Sequence, residues 1–225
     1  MREYLILNLQ GPMQAWGKET FEGLRPIDLF PGRSALLGLL GACLGVDRVD
    51  KVGLQTLASS VAFAVRVDQK TDEYGRKINM QKMTDYHTVK NARVHYQGLK
   101  SHETIQTWRE YWQDACYTIA IWSQDQASIS LTDIEQAIKK PVYTPFLGRC
   151  SCPVTRPLFE TRITAETALL ALTQHAETVM TIYSEEYSEG AVELKKRDVP
   201  IIHQPRQFAS RTVFMTTTKG VANVS

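Results

Sequence analysis

The segment of about forty residues from Lys70 to Glu110 constrains this chain more than any other feature. It separates two short apolar runs, Val61 to Val67 and Ala115 to Trp122, that read as strands by β-branched content and alternation. A connection this long inside a compact domain is functional or disordered. From Arg76 to Arg109 it carries Arg76, Lys77, Lys82, Lys90, Arg93, Lys100 and Arg109, against Asp85 and Glu103 as the acids. His87, His95, His102, Tyr86, Tyr96 and Trp108 are interleaved. Cations neutralise phosphates and aromatic faces accept stacked bases, a mixture suited to single-stranded RNA rather than duplex DNA. The same composition also describes a solvated arm whose charges keep it soluble, and composition leaves both readings open. Residues 104–111 fit a helix stripe through Ile105, Trp108 and Trp112, yet Thr104, Ile105 and Thr107 favour a strand. A strand is expected, because it returns the chain as the second arm of a long hairpin.

Around this insertion the chain reads strand, helix, strand, strand, helix, strand. Residues 4–9 form a buried first strand. Residues 34–44 form a helix with Leu36, Leu37, Leu40 and Leu44 apolar and Gly45 as its stop. Gly38 and Gly41 lie inside it, each costing about 1 kcal/mol against alanine. A close helix–sheet contact explains them, and phosphate cradling is the sharper alternative. Thr132-Asp133-Ile134-Glu135 is a capping-box signature for a helix with Leu131, Ile134 and Ile138 on one face, ended by Pro141. Val142-Tyr143-Thr144 is expected to begin the next extended segment. A short helix follows at 165–172, then strands at 180–184, 191–195 and 212–217. This is the βαββαβ order of ferredoxin-like and RRM-type domains, hence α+β.

Net charge is +2 and the pI about 8.3, so bulk charge announces no nucleic-acid partner. With 43% hydrophobic residues and a mean hydropathy of −0.25, the composition suits a soluble globular protein. No apolar run approaches the ~20 residues of a membrane span. The N-terminal residues lack signal-peptide organisation, so the cytoplasm is expected and no membrane partner. Cys43 and Cys116 sit in apolar stretches. Cys150-Ser151-Cys152 is a close pair with no second Cys/His pair at zinc spacing, so reduced thiols stand beside a metal or redox role.

Arg25, Arg33, Arg149, Arg156, Arg206 and Arg211 adjoin prolines, glycines or small polar residues, where guanidinium groups clamp phosphates or simply meet solvent. Pro205-Arg206-Gln207-Phe208-Ala209-Ser210-Arg211 holds an RNA-contact repertoire, or a turn with one packed phenylalanine. Trp16 in Gly11-Pro12-Met13-Gln14-Ala15-Trp16-Gly17 is expected in the core. There is no Gly-x-Ser-x-Gly elbow, no His-Glu-x-x-His helix and no acidic cluster for a two-metal nuclease. His87, His95 or His102, with Tyr86 or Lys100, remain candidates for metal-independent RNA cleavage.

Several motifs together carry a resemblance. Gly11 to Gly17, Phe21-Glu22-Gly23, Arg25-Pro26, and Arg33-Ser34 with Leu36 to Ala42 open the series. Asp85-Tyr86-His87-Thr88-Val89 and Gly98-Leu99-Lys100-Ser101-His102-Glu103-Thr104 continue it. Tyr143-Thr144-Pro145, Leu147-Gly148-Arg149, Ser151-Cys152-Pro153 and Pro205 to Arg211 close it. Each is weak alone, but in this order the chain resembles the Cas-five family of CRISPR Cascade subunits, in its type I-E branch. Cys150 stands where a second basic residue is expected.

That resemblance implies a modified ferredoxin-like/RRM (RAMP-type) palm spanning residues 1–225. It places a β-hairpin thumb in residues 70–110 and a β-rich C-terminal extension at 155–225. It implies a non-catalytic subunit that caps the 5′ handle of CRISPR RNA. The implied neighbours are the CasC backbone subunit and the CasA large subunit, with target DNA reached through the complex. No cofactor, metal or catalytic residue is expected. The RNA-binding candidates are Arg25, Arg33, Ser34, Lys82, His87, Arg93, Lys100, His102, Thr104, Arg109, Arg149, Arg206, Gln207 and Arg211, with backbone amides near Gly38. A related type I-C branch cuts RNA, so a metal-independent endoribonuclease processing repeat RNA is the alternative. A thiol enzyme using Cys150 and Cys152 is a third reading, which the basic arm disfavours.

Overall fold

Strand alternation dictates two apolar layers. The computed structural model describes residues 1–20, 22–74, 76–90, 104–174, 180–204 and 207–218. In chain order the elements are β1 (Arg2–Gln10), β2 (Met13–Gln14), β3 (Leu24–Arg25), α1 (Arg33–Leu44), α2 (Lys51–Ser60), β4 (Val61–Val67), β5 (Lys70–Thr71) and β6 (Lys77–Ile78). They continue with β7 (Gln81–Lys90), β8 (Thr104–Gln113), β9 (Cys116–Ser123), α3 (Leu131–Lys139), β10 (Phe159–Ala165), α4 (Ala168–Thr173), β11 (Met180–Ser184), β12 (Val192–Pro200) and β13 (Phe208–Thr218). Among the described residues, seven of these strands form an antiparallel sheet in the order β10-β1-β9-β4-β11-β13-β12.

Odd-numbered side chains of the central strands point to one face: Leu5, Leu7 and Leu9, Val61, Phe63 and Val65, Tyr117, Ile119 and Ile121. Even-numbered ones point to the other: Tyr4 and Ile6, Ala62 and Ala64, Ala120 and Trp122. α1 and α3 cover the first face through Leu36, Leu37, Leu40, Cys43, Leu131, Ile134 and Ile138. α4 covers the second through Ala168, Ala171 and Leu172. Burial on both faces explains why these strands read as nearly continuous apolar runs. Each fully buried leucine or isoleucine contributes roughly 1.5–3 kcal/mol. Trp16 belongs to the same core, its ring edge-on to Tyr117 at 6.3 Å.

α1 begins after Gly32, which offers no side-chain cap. Asp198 of β12 supplies one from across the molecule: its Oδ2 accepts the Arg33 N–H at 2.8 Å. A carboxylate there also opposes the positive end of the helix. The helix stops at Gly45 as its sequence predicts, with φ 75 and a Val46 N–H to Gly41 C=O bond of 2.9 Å.

Four expectations are corrected. Gly38 meets no sheet: a Cβ there would touch nothing within 4 Å, and its amide lies inside the helix, so neither a close contact nor a phosphate cradle explains it. Residues 142–144 form no strand; the Val142 and Tyr143 N–H groups cap the last carbonyls of α1, Cys43 and Ala42. The strand after α3 is β10. The α3 cap is Ser130 with Asp133, two residues earlier than the Thr132 motif. The short helix starts at Ala168, because Thr164 and Ala165 pair with Glu3 and Arg2 as the end of β10.

Candidate nucleic-acid interface

β7 and β8 pair from Gln81↔Gln113 out to Lys90↔Thr104, making residues 104–111 a strand of a long hairpin. At the base, β8 pairs with β2; along its other edge it runs parallel to β3, with Leu24↔Trp108 and Arg25↔Arg109. Residues paired in register share a face. The arm therefore sorts its side chains into two surfaces that no composition count separates.

One surface carries Lys82, Tyr86, Trp108 and Thr104, with Leu24 of β3 in the Trp108 row. Lys82 Nζ donates to Glu110 Oε1 at 2.8 Å, and the Ile27 N–H donates to Glu110 Oε2 at 3.2 Å. Lys82 and that N–H hold the Glu110 carboxyl below the usual glutamate range, against some desolvation. The pair fixes the arm's base to the segment ahead of α1.

The opposite surface carries His87, Arg109 and Arg25. His87 Nε2 is paired with Asp85 two residues along its own strand. Arg109 Nε donates to Thr107 Oγ1 at 3.2 Å. Arg149 joins them: its Nη1 donates to Glu110 C=O at 3.0 Å and its Nη2 to Arg25 C=O at 3.3 Å. Its guanidinium lies 4.7 Å from the Tyr111 ring centroid. Gly148, at φ 93, brings Arg149 there, since a Cβ at that position would stand 1.9 Å from Ala15 O. Arg25 donates to Leu24 C=O at 2.8 Å and to Glu22 C=O. Arg25 and Arg149 are placed by backbone carbonyls and Arg109 by a hydroxyl, and all three stay half-exposed. Three guanidiniums and an imidazole thus meet on one side of the arm, where phosphates are the natural ligand.

Arg33 and Arg211 are engaged elsewhere. Arg33 is buried, its Nη1 donating to both Glu185 oxygens at 2.7 and 2.6 Å and its Nη2 to the Ala58 and Val61 carbonyls. Arg211 donates to Asp198 Oδ1 and Oδ2 at 2.5 and 2.8 Å and lies 3.2 Å from Glu185. Burial pushes the Glu185 carboxyl up while the two arginines pull it down. This cluster ties α1, β12 and β13 together, and its guanidiniums are committed to protein acceptors.

Ser34 lines a separate cleft of about 490 Å³ beside α1, with Gly38, Tyr143 and Phe146. Gln207 is exposed at the entrance to β13. Arg93, Lys100, His102 and Arg206 lie outside the described residues. The cysteine pair does not converge: Cys152 is buried and Cys150 exposed. Burial pushes the Cys152 thiol up, and those of Cys43 and Cys116 to about 11. Tyr86 and Trp108, which the sequence marks among the arm's interleaved aromatics, and Leu24, which it does not single out, share the arm's first surface. Their grouping depends on register, and for Leu24 on a parallel pairing with a strand of two residues.

The sheet, its covering helices and the projecting hairpin define an α+β protein with a basic, aromatic arm. The chain belongs to the Cas5 family: the model described as "CRISPR-associated protein (Cas_Cas5)" matches residues 4–214. It is 51% identical over 226 residues, covering all of both chains, to the "CRISPR system Cascade subunit CasD" of Escherichia coli (strain K12). Among solved structures it is similar to a chain of a "CRISPR RNA-guided surveillance complex", with TM-score 0.74 and 24% identity over 96% of this chain and 90% of that one. A second, titled "Crystal structure of Cas protein", gives TM-score 0.65 and 23% identity over 96% and 95%. Among the described residues, no helix is long and apolar enough to cross a membrane.

Proposed function

We propose that this chain is the subunit of a Cascade-type, CRISPR RNA-guided complex that binds and caps the 5′ handle of the guide RNA without cutting it. The observation that carries this is the 51% identity, end to end, with the E. coli Cascade subunit CasD. The order β10-β1-β9-β4, with α1 and α3 on one face, supports reading residues 1–225 as one ferredoxin-like/RRM (RAMP-type) palm. In this reading β11, β12 and β13 extend the palm and the β7–β8 hairpin is its thumb. The phosphate contacts are Arg25, Arg109 and Arg149, with Lys82, His87, Thr104 and Gln207 beside the path. Arg93, Lys100, His102 and Arg206 remain in the set on the resemblance alone. Arg33 and Arg211 act by holding the C-terminal strands against α1. The complex acts in the cytoplasm, with CasC-like backbone and CasA-like large subunits as neighbours, and base pairing by the guide reads the target.

Purified chain incubated with labelled repeat RNA, with and without chelator, tests this on a denaturing gel and by a binding titration across salt. Intact RNA with salt-weakened binding is the expected outcome. Chelator-resistant cutting that disappears in His87→Ala would instead make the chain a processing nuclease.

A further inference from the structure

Three side chains on three adjacent strands form one transverse row on the arm's first surface. Register aligns Leu24 of β3 with Trp108 of β8, and Trp108 with Tyr86 of β7. All are exposed, at 57%, 40% and 52% respectively. The Tyr86 and Trp108 rings stand 5.5 Å apart at 47°. Trp108 is held from beneath as well as beside. Its backbone N–H donates to Gly23 C=O at 3.0 Å, and a Cβ at Gly23 would lie only 3.2 Å from Trp108 Cζ3. The glycine lets the indole settle against the backbone just ahead of β3. By contrast Trp16 and Trp122 are buried, and the Trp112 Nε1–H is tied to Asp28 C=O at 2.7 Å.

A cross-strand Tyr–Trp pair adds only modestly to the stability of a hairpin, and the ring surface left open to solvent is free to take a ligand. Its surroundings choose the ligand. Lys82 and Lys90 share this surface, and Thr84, Thr88, Thr104 and Gln106 supply hydroxyls and an amide around the rings. A protein partner's apolar anchor favours a closed hydrophobic pocket, whereas this row is open and set beside Lys90 and hydrogen-bonding groups. We infer that Leu24, Trp108 and Tyr86 form a platform on which one unpaired base of a single-stranded RNA stacks. The phosphates flanking that base lie toward Lys90, since Lys82 is paired with Glu110 on the same surface. The inference rests on the RNA-holding reading above, whose arginine contacts lie on the arm's opposite surface, and adds to it this first surface, the residues on it and the chemical group they take.

The test uses the full chain and labelled repeat RNA, intact and as a series carrying one abasic site at each position in turn. Trp108→Ala and Tyr86→Ala are expected to weaken binding by about tenfold, within the range of base–aromatic stacking, with no change in salt dependence because no cation is lost. Trp108→Phe keeps most of the affinity. One abasic position is expected to weaken wild type by a similar factor and to erase the difference between wild type and Trp108→Ala. RNA binding should also quench the Trp108 fluorescence. If wild type binds RNA but no abasic position interacts with Trp108→Ala, the platform is wrong and the RNA-holding reading stands. If Trp108→Ala binds RNA normally yet no longer co-purifies with the other subunits, the row is a protein contact and the inference falls. If wild type binds no repeat RNA, the proposed function falls and the platform with it.

Discussion

Glu185 is the point at which the C-terminal strands are locked to the first helix. Its carboxylate receives Arg33 and Arg211, and Arg211 in turn holds Asp198, which caps α1. Removing one partner of a buried ionic cluster leaves the others desolvated and unpaired, at roughly 3–5 kcal/mol. Glu185→Gln is therefore expected to lower the stability of the isolated chain by about 3 kcal/mol, read as a drop in the urea midpoint with an unchanged slope. A shift below about 0.5 kcal/mol would mean the cluster is solvated and structurally idle. Glu110 gives a pH prediction. Its folded carboxyl is more acidic than in the unfolded chain, so its stabilisation is complete above the ordinary glutamate range and lost as pH falls through the depressed folded value. Protection of the Ile27 amide, which donates to Glu110, should hold at pH 6 and fall selectively below about pH 4 in hydrogen exchange. Little of this was legible in the sequence. Arg33 and Glu185 are 152 residues apart, and a loop arginine bound for a buried carboxylate looks the same as one bound for a phosphate.

Helix and strand boundaries were legible where one residue type decides them, and less so where two candidates compete. The left-handed Gly45 stop is such a clear case. At α3 the sequence motif points to Thr132 as the cap, and the structure uses Ser130, whose Oγ accepts the Asp133 N–H at 3.1 Å. Ser130→Ala should cost about 1 kcal/mol, and Thr132→Ala only a few tenths, by thermal or urea unfolding. Equal losses would mean that the helix frays to the later cap. α2 escapes a sequence reading because Gly53 and Ser59-Ser60 dilute its pattern; Asp50, accepting the Gly53 N–H at 2.9 Å, starts it. β10 escapes because Phe159-Glu160-Thr161-Arg162-Ile163 is largely polar, as suits the outermost strand of a sheet. The turn before Arg149 is a sharper test of element geometry. Gly148→Ala must move the Ala15 carbonyl, so it is expected to destabilise by roughly 2 kcal/mol or more. It should also weaken RNA binding beyond what its stability loss explains, because Arg149 is carried away from Tyr111. RNA affinity equal to wild type in folded protein would remove Arg149 from the interface.

At the scale of the whole molecule, the fold separates a part that must be packed from a part that must be reached. Met83, Tyr111 and Trp112 at the arm's base join the main core, whereas beyond Asp85↔Arg109 most side chains of β7 and β8 are half-buried or exposed. The long basic connection was legible as an arm because no core can absorb so many cations, but its two faces became distinguishable only with the register. A decisive consequence concerns the outer arm. Replacing residues 86–108 with Asn-Gly closes the hairpin after the Asp85↔Arg109 pair with a two-residue turn. The base keeps its pairing to β2 and its Lys82–Glu110 bond, so the urea midpoint should correspond to a loss of no more than about 1 kcal/mol. RNA binding should fall by at least about tenfold, and its salt dependence should flatten as the outer cations are lost. A collapse of the midpoint would show that the outer arm belongs to the folding core. Unchanged RNA affinity with intact stability would move the RNA path off the arm altogether, toward the cleft beside α1, where Ser34 and Tyr143 would become the residues to change next.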